Sequence, residues 1–157
     1  MGLDMYLRGD VFIRGSHNHR DGILSGGVSI KSEREPGNTV EIPVKIISSI
    51  KIHVGYWRKA NHIHAWFVKN VQDGKDDCGN YDVAMKQLDS LEQACKQVLE
   101  SPAKGPELLP VAGGFFFGST DYDADYIQDI EHTLEVIKTA REMSEKYNAD
   151  LEYHSSW

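Results

Sequence analysis

Residues 54–71 read VGYWRKANHIHAWFVKNV, and this stretch decides the fold prediction. A helix placed over residues 56–71 gathers apolar side chains at intervals of three and four, a spacing that lines one helix face. The stripe consists of Trp57, Ala60, Ile63, Phe67, Val68 and Val71. The Asp73-Gly74 pair that follows is a typical helix stop. The sequence therefore predicts an amphipathic helix.

Polar residues interrupt this pattern in an informative way. Asn61 and His64 fall inside the apolar stripe, whereas Arg58, His62 and Trp66 fall outside it. A buried amide or imidazole needs a hydrogen-bond partner, because leaving it unpaired costs about 1–3 kcal/mol. That partner is either another part of the fold or a ligand. The outward Trp66 fits either an interface or a covering loop.

Two further helices follow in the sequence. The first, over residues 84–100, ends before Pro102 and carries one apolar stripe. Its members are Ala84, Leu88, Leu91, Cys95, Val98 and Leu99. The second, over residues 121–147, has Thr120 as its predicted N-cap. Its inward residues are Ile127, Ile130, Leu134 and Ile137.

Alternating and β-branched segments predict strands before and after these helices. They cover residues 3–13, 28–31, 39–54, 113–118 and 151–157, the last as a closing edge strand. The third segment is either one bent strand or a pair joined near Ser48 and Ser49. Together the elements predict an α+β fold, a mainly antiparallel sheet with three helices packed on one face. We expect one domain over residues 1–157, with a loop-rich insert at about 14–43.

Composition narrows the class of protein. The 157 residues are 40% hydrophobic and 26% charged, as expected for one globular domain. The net charge of -7 argues against nonspecific binding to duplex nucleic acid or to a membrane, because both require a basic face. No stretch has the apolar length of a signal peptide core or a membrane span. We therefore expect a cytoplasmic protein, and the sequence leaves its oligomeric state open.

Metal and nucleophile patterns are weak. His62 and His64 are two positions apart, so on a helix they point about 200° apart and cannot share an ion. His17 and His19 lack companion ligands at zinc-site spacing. Cys78 lies among carboxylates, which disfavour a thiolate. The sequence therefore assigns no catalytic residue, no metal and no cofactor.

The segment Phe117-Gly118-Ser119-Thr120 leads directly into the last predicted helix. Free backbone N–H groups and two hydroxyls at a helix start suit an anion. Simple helix capping explains the same residues, and the aspartates that follow would repel a phosphate. Both interpretations stay open.

Five blocks carry a resemblance to known proteins. They are MGLDMYL (1–7), VGYWRKANHIHAWFVKNVQDGKDDC (54–78), ELLP (107–110), GFFFGSTDYD (114–123) and SSW (155–157). In these blocks the chain resembles a family of small proteins, without an assigned activity, from bacteriophages, prophages and bacterial genomes. The resemblance implies a phage-related setting and a set of motif residues. These are Trp57, Arg58, Lys59, Asn61, His64, Gly118, Ser119, Thr120, Asp121, Tyr122 and Trp157.

The first functional prediction is a phage-related binding protein for a small anionic ligand such as a nucleotide. In that setting it would sequester a host immune signal, as a counter-defence protein. Cationic side chains would meet the charge, aromatic rings would stack, and the helix start would donate N–H groups. The predicted pocket residues are Trp57, Arg58, Lys59, Asn61, His64, Ser119, Thr120 and Tyr122.

Two alternatives come from other classes. An acidic protein-interaction module would inhibit a host protein through Trp66 and the loop at residues 17–27. A small hydrolase or phosphodiesterase would use His64 as general base with Asp121, and it requires these side chains within hydrogen-bond reach. We rank binding above catalysis.

Overall fold

A computed structural model describes residues 2–13, 27–31, 37, 39–114 and 117–157. The strands are β1 (Asp4–Phe12), β2 (Gly27–Lys31), β3 (Thr39–Pro43), β4 (Ser49–Arg58), β5 (Asn80–Val83) and β6 (Asp150–Ser156). The helices are α1 (Asn61–Asn70), α2 (Met85–Glu100), α3 (Gly105–Leu108) and α4 (Ala124–Tyr147). The predicted α+β class is confirmed.

The main sheet has four antiparallel strands in the order β4-β1-β6-β5. Strands β2 and β3 form a separate two-stranded antiparallel sheet within the predicted insert. A 3-10 helix, Val44–Ile46, follows β3, and β4 begins at Ser49. Of the two alternatives for residues 39–54, the pair of strands is therefore the correct one.

The core lies between the main sheet and the helices. Alternate residues of β1, including Met5 and Leu7, are completely buried on one face of the sheet. Helix α4 packs on β4 and β1, and α2 packs on α4. Helix α1 contributes Phe67, whose ring stacks on Tyr153 of β6 with 4.0 Å between centroids. The predicted stripe of α2 is confirmed at Leu88, Leu91, Cys95 and Val98, which are all buried.

The prediction of a helix from residue 56 is wrong at its start. Tyr56, Trp57 and Arg58 continue β4, where Trp57 lies opposite Met5 of β1. Lys59 has a positive φ of 62° and separates the strand from α1. Trp57 and Met5 are 52 residues apart in the sequence. Their strand pairing overrides the local helical pattern. Trp57 is therefore a strand residue of the core.

Several other boundaries also differ from the predictions. Strand β6 lies between β1 and β5 rather than at an edge, because the unpredicted β5 covers it. The short helix α3 was not predicted either, so the described chain has four helices instead of three. The N-cap of α4 is Asp123 instead of Thr120, because the Asp123 side chain accepts hydrogen bonds from the Asp125 and Tyr126 N–H groups.

The predicted strand at residues 113–118 is wrong where it can be compared. Its residues 115 and 116 lie outside the described chain, and the other four are not in a strand. Gly113 and Gly114 are exposed, so no apolar row forms there. Much of the predicted insert, residues 14–26 and 32–36, also lies outside the description. Among the described residues, no helix combines the length and apolar character needed to cross a bilayer.

Candidate functional site

A cleft of about 390 Å³ opens where the β4–α1 junction meets the start of α4. The junction contributes Arg58, Lys59 and His62 to its lining. The turn before α4 contributes Gly118, Ser119, Asp121 and the N-cap Asp123, and α4 itself contributes Asp125, Tyr126 and Asp129. The cleft therefore brings together two of the motif blocks recognised in the sequence.

Lys59 is held in a left-handed backbone conformation at the edge of this cleft. Its N–H donates to the Leu3 carbonyl at 2.8 Å, and its own carbonyl accepts from the Asn61 N–H at 2.8 Å. Such a conformation costs a non-glycine residue about 1–3 kcal/mol, and such residues concentrate at functional sites. A Cβ built on Gly2 would lie 3.4 Å from Lys59 Cε and 3.9 Å from Arg58 Nη2, so the two cationic side chains lie near each other.

Neither cation forms an ion pair within the part of the chain that the structure describes. Within the described residues, no carboxylate lies within ion-pair distance of Arg58 or Lys59, and neither side chain makes a hydrogen bond. Two adjacent unpaired cations are a favourable place for a phosphate or carboxylate. Both cationic side chains are thus available to a ligand, in a cleft that also carries the carboxylates of Asp121, Asp123, Asp125 and Asp129.

The turn at residues 117–121 forms the wall of the cleft that faces Lys59, and Asn61 fixes this wall. Its Nδ2 donates to the carbonyls of Phe117 and Ser119 at 3.1 and 2.7 Å, and its Oδ1 accepts from the Ala112 N–H at 2.9 Å. The Asn61 side chain is itself buried, and each of these bonds is at least partly buried. The inward position predicted for Asn61 is therefore satisfied within the fold.

Gly118 allows this wall to lie directly against Lys59. Its φ is 94°, and a Cβ added there would lie 2.9 Å from Lys59 Cβ and 3.0 Å from the Lys59 carbonyl oxygen. Only glycine accepts this combination of dihedral angle and contact without displacement. The close approach of Gly118 thus defines the shape of the cleft.

The acidic residues of the cleft fall into two groups. Asp121 accepts a hydrogen bond from the Ser119 hydroxyl at 3.2 Å, and Asp123 caps α4. The carboxylates of Asp125 and Asp129 accept no hydrogen bond from any described residue. Burial raises the pKa of Asp129 to about 6. These two carboxylates remain able to accept hydrogen bonds from a ligand.

His62 also belongs to the cleft, although the helical pattern places it outside the apolar stripe. It is only 2% exposed, and its ring packs on Tyr126 with 4.3 Å between centroids. Burial lowers its pKa to about 4, so the imidazole is neutral at pH 7. Its Nε2 is buried and has no hydrogen-bond partner among the described residues. Sequence spacing alone gave no signal for this burial, because the segment that covers His62 lies far along the chain.

The other predicted pocket residues lie elsewhere. Trp57 is in the core, where its Nε1 donates to the Thr133 hydroxyl at 2.9 Å. Thr120 is exposed and does not line the cleft. The Tyr122 hydroxyl accepts from the Val111 N–H at 3.3 Å, and its ring packs edge-on against Tyr126. Of the eight predicted residues, Arg58, Lys59, Asn61 and Ser119 line the cleft.

His64 belongs to a separate buried network. Its Nδ1 lies 2.8 Å from the Tyr153 hydroxyl, and its Nε2 lies 3.1 Å from Asp76 Oδ2. Both ring nitrogens are therefore engaged with partners other than Asp121. The geometry required for a hydrolase with a His64–Asp121 pair is absent from the described structure.

Trp66 lines a second cleft of about 400 Å³, between α1, α2 and α3. Its apolar neighbours there are Ala65, Ala94, Leu108 and Pro110. The ring is half-buried and meets Phe67 edge-on, with 5.4 Å between centroids. Trp66 is therefore partly covered by its own chain, and none of the cleft residues around Lys59 contacts this second cleft.

Metal binding has no support in the described residues, which contain no group of three His, Cys, Asp or Glu side chains placed to hold an ion. Comparison of the chain with models of protein families, with curated proteins and with solved structures finds no match. The geometry of the cleft at Lys59 is therefore the basis for assigning a function.

Proposed function

We propose that this protein binds a small anionic ligand, with a nucleotide as the leading example, in the cleft beside Lys59. The observation that carries the proposal is the backbone of Lys59, a non-glycine residue held at φ 62° next to the unpaired Arg58. A strained residue persists only where its surroundings fix it. Here two backbone hydrogen bonds and the approach of Gly118 hold it in place.

The polarity of the cleft supports a nucleotide over a simple anion. Arg58 and Lys59 suit the phosphate oxygens, which only accept hydrogen bonds. Asp125 and Asp129 suit the donors of the same molecule, namely ribose hydroxyls and exocyclic amino groups. In the phage-related setting that the sequence resemblance implies, the protein would sequester a nucleotide signal of the host.

Thermal unfolding against a panel of ligands tests the proposal. The panel contains inorganic phosphate, pyrophosphate, nucleoside mono-, di- and triphosphates, and cyclic mono- and dinucleotides. A ligand at about 100 times its Kd stabilises the folded state by about 2.7 kcal/mol, which raises Tm by several degrees. Titration calorimetry then gives the affinity of each ligand that shifts Tm.

Lys59→Gly is the informative variant, because glycine removes the charge and also relieves the left-handed strain. We expect the ligand-induced shift to be lost while the Tm of the free protein stays equal or rises. Lys69→Gln is the matched control, since Lys69 is an exposed lysine of α1 that lines the other cleft. A full panel without a shift, or a Lys59→Gly variant that binds normally, would contradict the proposal.

A protein-interaction module is the second candidate, and the β2–β3 hairpin favours it. The register places Val28 opposite Ile42 and Ile30 opposite Val40, so all four lie on one face. Ile30 and Val40 are 53% and 52% exposed, and contiguous exposed apolar surface is typical of protein contacts. Replacing Ile30 and Val40 together with lysine should abolish capture of a defined host protein without lowering Tm. Unchanged capture would exclude this surface.

A further inference from the structure

A chain of contacts links Trp157 to the buried network around His64. The Trp157 Nε1 donates to Asp76 Oδ1 at 3.0 Å, and the other carboxylate oxygen of Asp76 lies 3.1 Å from His64 Nε2. When that nitrogen carries the proton, His64 Nδ1 accepts from the Tyr153 hydroxyl at 2.8 Å. A single tautomer of His64 therefore satisfies every bond, and Asp76 bridges the two ring N–H groups.

Phe117 connects this series of side-chain contacts to the cleft. Its ring meets His64 edge-on at 5.4 Å between centroids and Trp157 at 6.1 Å. Its carbonyl accepts from Asn61 Nδ2, the same nitrogen that donates to the Ser119 carbonyl. The side chain of Phe117 is thus held by the network, and its backbone is held with the cleft wall.

We infer that Trp157 and Asp76 are positioning residues for the cleft. They hold the Phe117 ring on the side that faces His64 and Trp157. In this way they fix the backbone of Gly118 and Ser119 against Lys59. Neither residue lines the cleft, so each acts only through Phe117 and His64. The expected effect on ligand affinity rests on the proposed binding function. The effect of Trp157 and Asp76 on the backbone at residues 117–121 can be measured without any ligand.

The exposure of the Trp157 side chain distinguishes a positioning role from a general contribution to stability. Trp157 is 48% exposed, so its ring contributes little to the buried core. Its removal should loosen the wall at residues 117–121 while global stability changes little. Tyr147 of α4 is 44% exposed and is the matched control, because it is an aromatic residue with no contact to Phe117.

Hydrogen exchange of the free protein is the first measurement. For Trp157→Ala we expect the amides of Phe117 and Asp121 to exchange about tenfold faster, the factor that corresponds to one lost hydrogen bond. Amides of α2 should be unaffected, and Tyr147→Ala should leave the wall unchanged. Trp157→Phe keeps the ring contact and loses the N–H donor, so we expect an intermediate effect.

Asp76→Asn tests whether the two residues act through one link. We expect its effect on the wall to resemble that of Trp157→Ala, and the double variant to exceed the larger single effect only slightly. Inorganic pyrophosphate is the binding probe, and its affinity should fall with the same order of variants. Calorimetry on wild type, on both Trp157 variants, on Asp76→Asn and on the double variant gives this ranking, with Tyr147→Ala as the control.

The outcomes separate the two claims. Faster wall exchange with weaker pyrophosphate binding supports both. Faster wall exchange in a protein that binds no pyrophosphate even as wild type supports the positioning role and counts against the proposed function. If Trp157→Ala leaves wall exchange unchanged, the positioning role is overturned, whatever the binding result.

Discussion

Gly118 and Gly74 both have positive φ, but only one of them lies against another part of the chain. A Cβ on Gly118 would meet the backbone and side chain of Lys59 within 3.0 Å, whereas a Cβ on Gly74 would meet nothing within 4 Å. The left-handed conformation alone costs a non-glycine residue about 1–2 kcal/mol. The collision adds a second cost at Gly118, because backbone atoms cannot move aside as a flexible side chain can.

We therefore expect Gly118→Ala to destabilise the protein by about 2–4 kcal/mol and Gly74→Ala by about 1 kcal/mol. Urea unfolding of both variants measures the difference. Gly118→Ala should also weaken ligand binding in the cleft, since the wall must shift away from Lys59. Equal costs at the two positions would show that Gly118 does not lie against Lys59 in solution.

Burial of His62 makes stability depend on pH. Its pKa is about 4 in the folded protein, and an unfolded imidazole titrates near its ordinary value of 6.5. Between these values the unfolded chain binds a proton that the folded chain does not. The stabilisation is therefore fully present above about pH 6.5 and is lost as pH falls toward 4, to a total of about 3 kcal/mol.

Urea unfolding of wild type and His62→Phe between pH 7.5 and 4.5 isolates this effect. Asp129 acts in the opposite direction, because burial raises its pKa to about 6 and the folded form then binds the proton more readily. Asp129 is present in both proteins, so the difference between the two curves reports His62. Parallel curves over this range would show that His62 is not buried in solution.

At the scale of elements, local periodicity predicted α2 well and failed at the start of α1. The stripe of α2 depends only on residues within the helix. Residues 56–58 also fit a helical stripe, but pairing with β1 determines their conformation. The helix therefore begins only after the left-handed turn at Lys59.

The cleft itself could be predicted only in part. Arg58, Lys59 and Ser119 were identified from the motif blocks, because charge and hydroxyl groups at helix starts are visible in sequence. For Asn61 the sequence indicated an inward amide that pairs with either the fold or a ligand, but it did not indicate which atoms, since its three partners lie more than 50 residues away and are backbone atoms. No local pattern indicates which carbonyl a distant amide will reach.

The β2–β3 hairpin is expected to contribute little to global stability. All its side chains are exposed or half-buried, and a two-stranded sheet alone is only marginally stable in water. We expect Val40→Thr to change the free energy of unfolding by less than about 0.5 kcal/mol. Leu91→Ala, in the core stripe of α2, should cost about 2–5 kcal/mol. A loss above about 1.5 kcal/mol for Val40→Thr would indicate that this face is covered in solution.

At the scale of the whole molecule, the sheet and α4 are in close contact at Gly55. A Cβ at this position would lie 2.3 Å from Val136 Cγ1, a distance that real contacts do not reach. Pairing of Gly55 with Leu7 of β1 limits how far β4 can move away. We therefore expect α4 to shift, and this helix carries both core residues and two carboxylates of the cleft, Asp125 and Asp129.

We expect Gly55→Ala to destabilise the protein by about 2–3 kcal/mol and to weaken ligand binding at the distant cleft. Val136→Ala removes the methyl groups that collide, so the double variant should be more stable than the sum of the single effects implies, by about 1–3 kcal/mol. Gly9→Ala is the control on β1, since its added Cβ would meet Ala149 at a less severe 3.3 Å. Urea unfolding of the four proteins completes the cycle. Additive costs would show that Gly55 and Val136 do not limit the separation of the two layers, and the cleft would then be independent of the packing of α4 on the sheet.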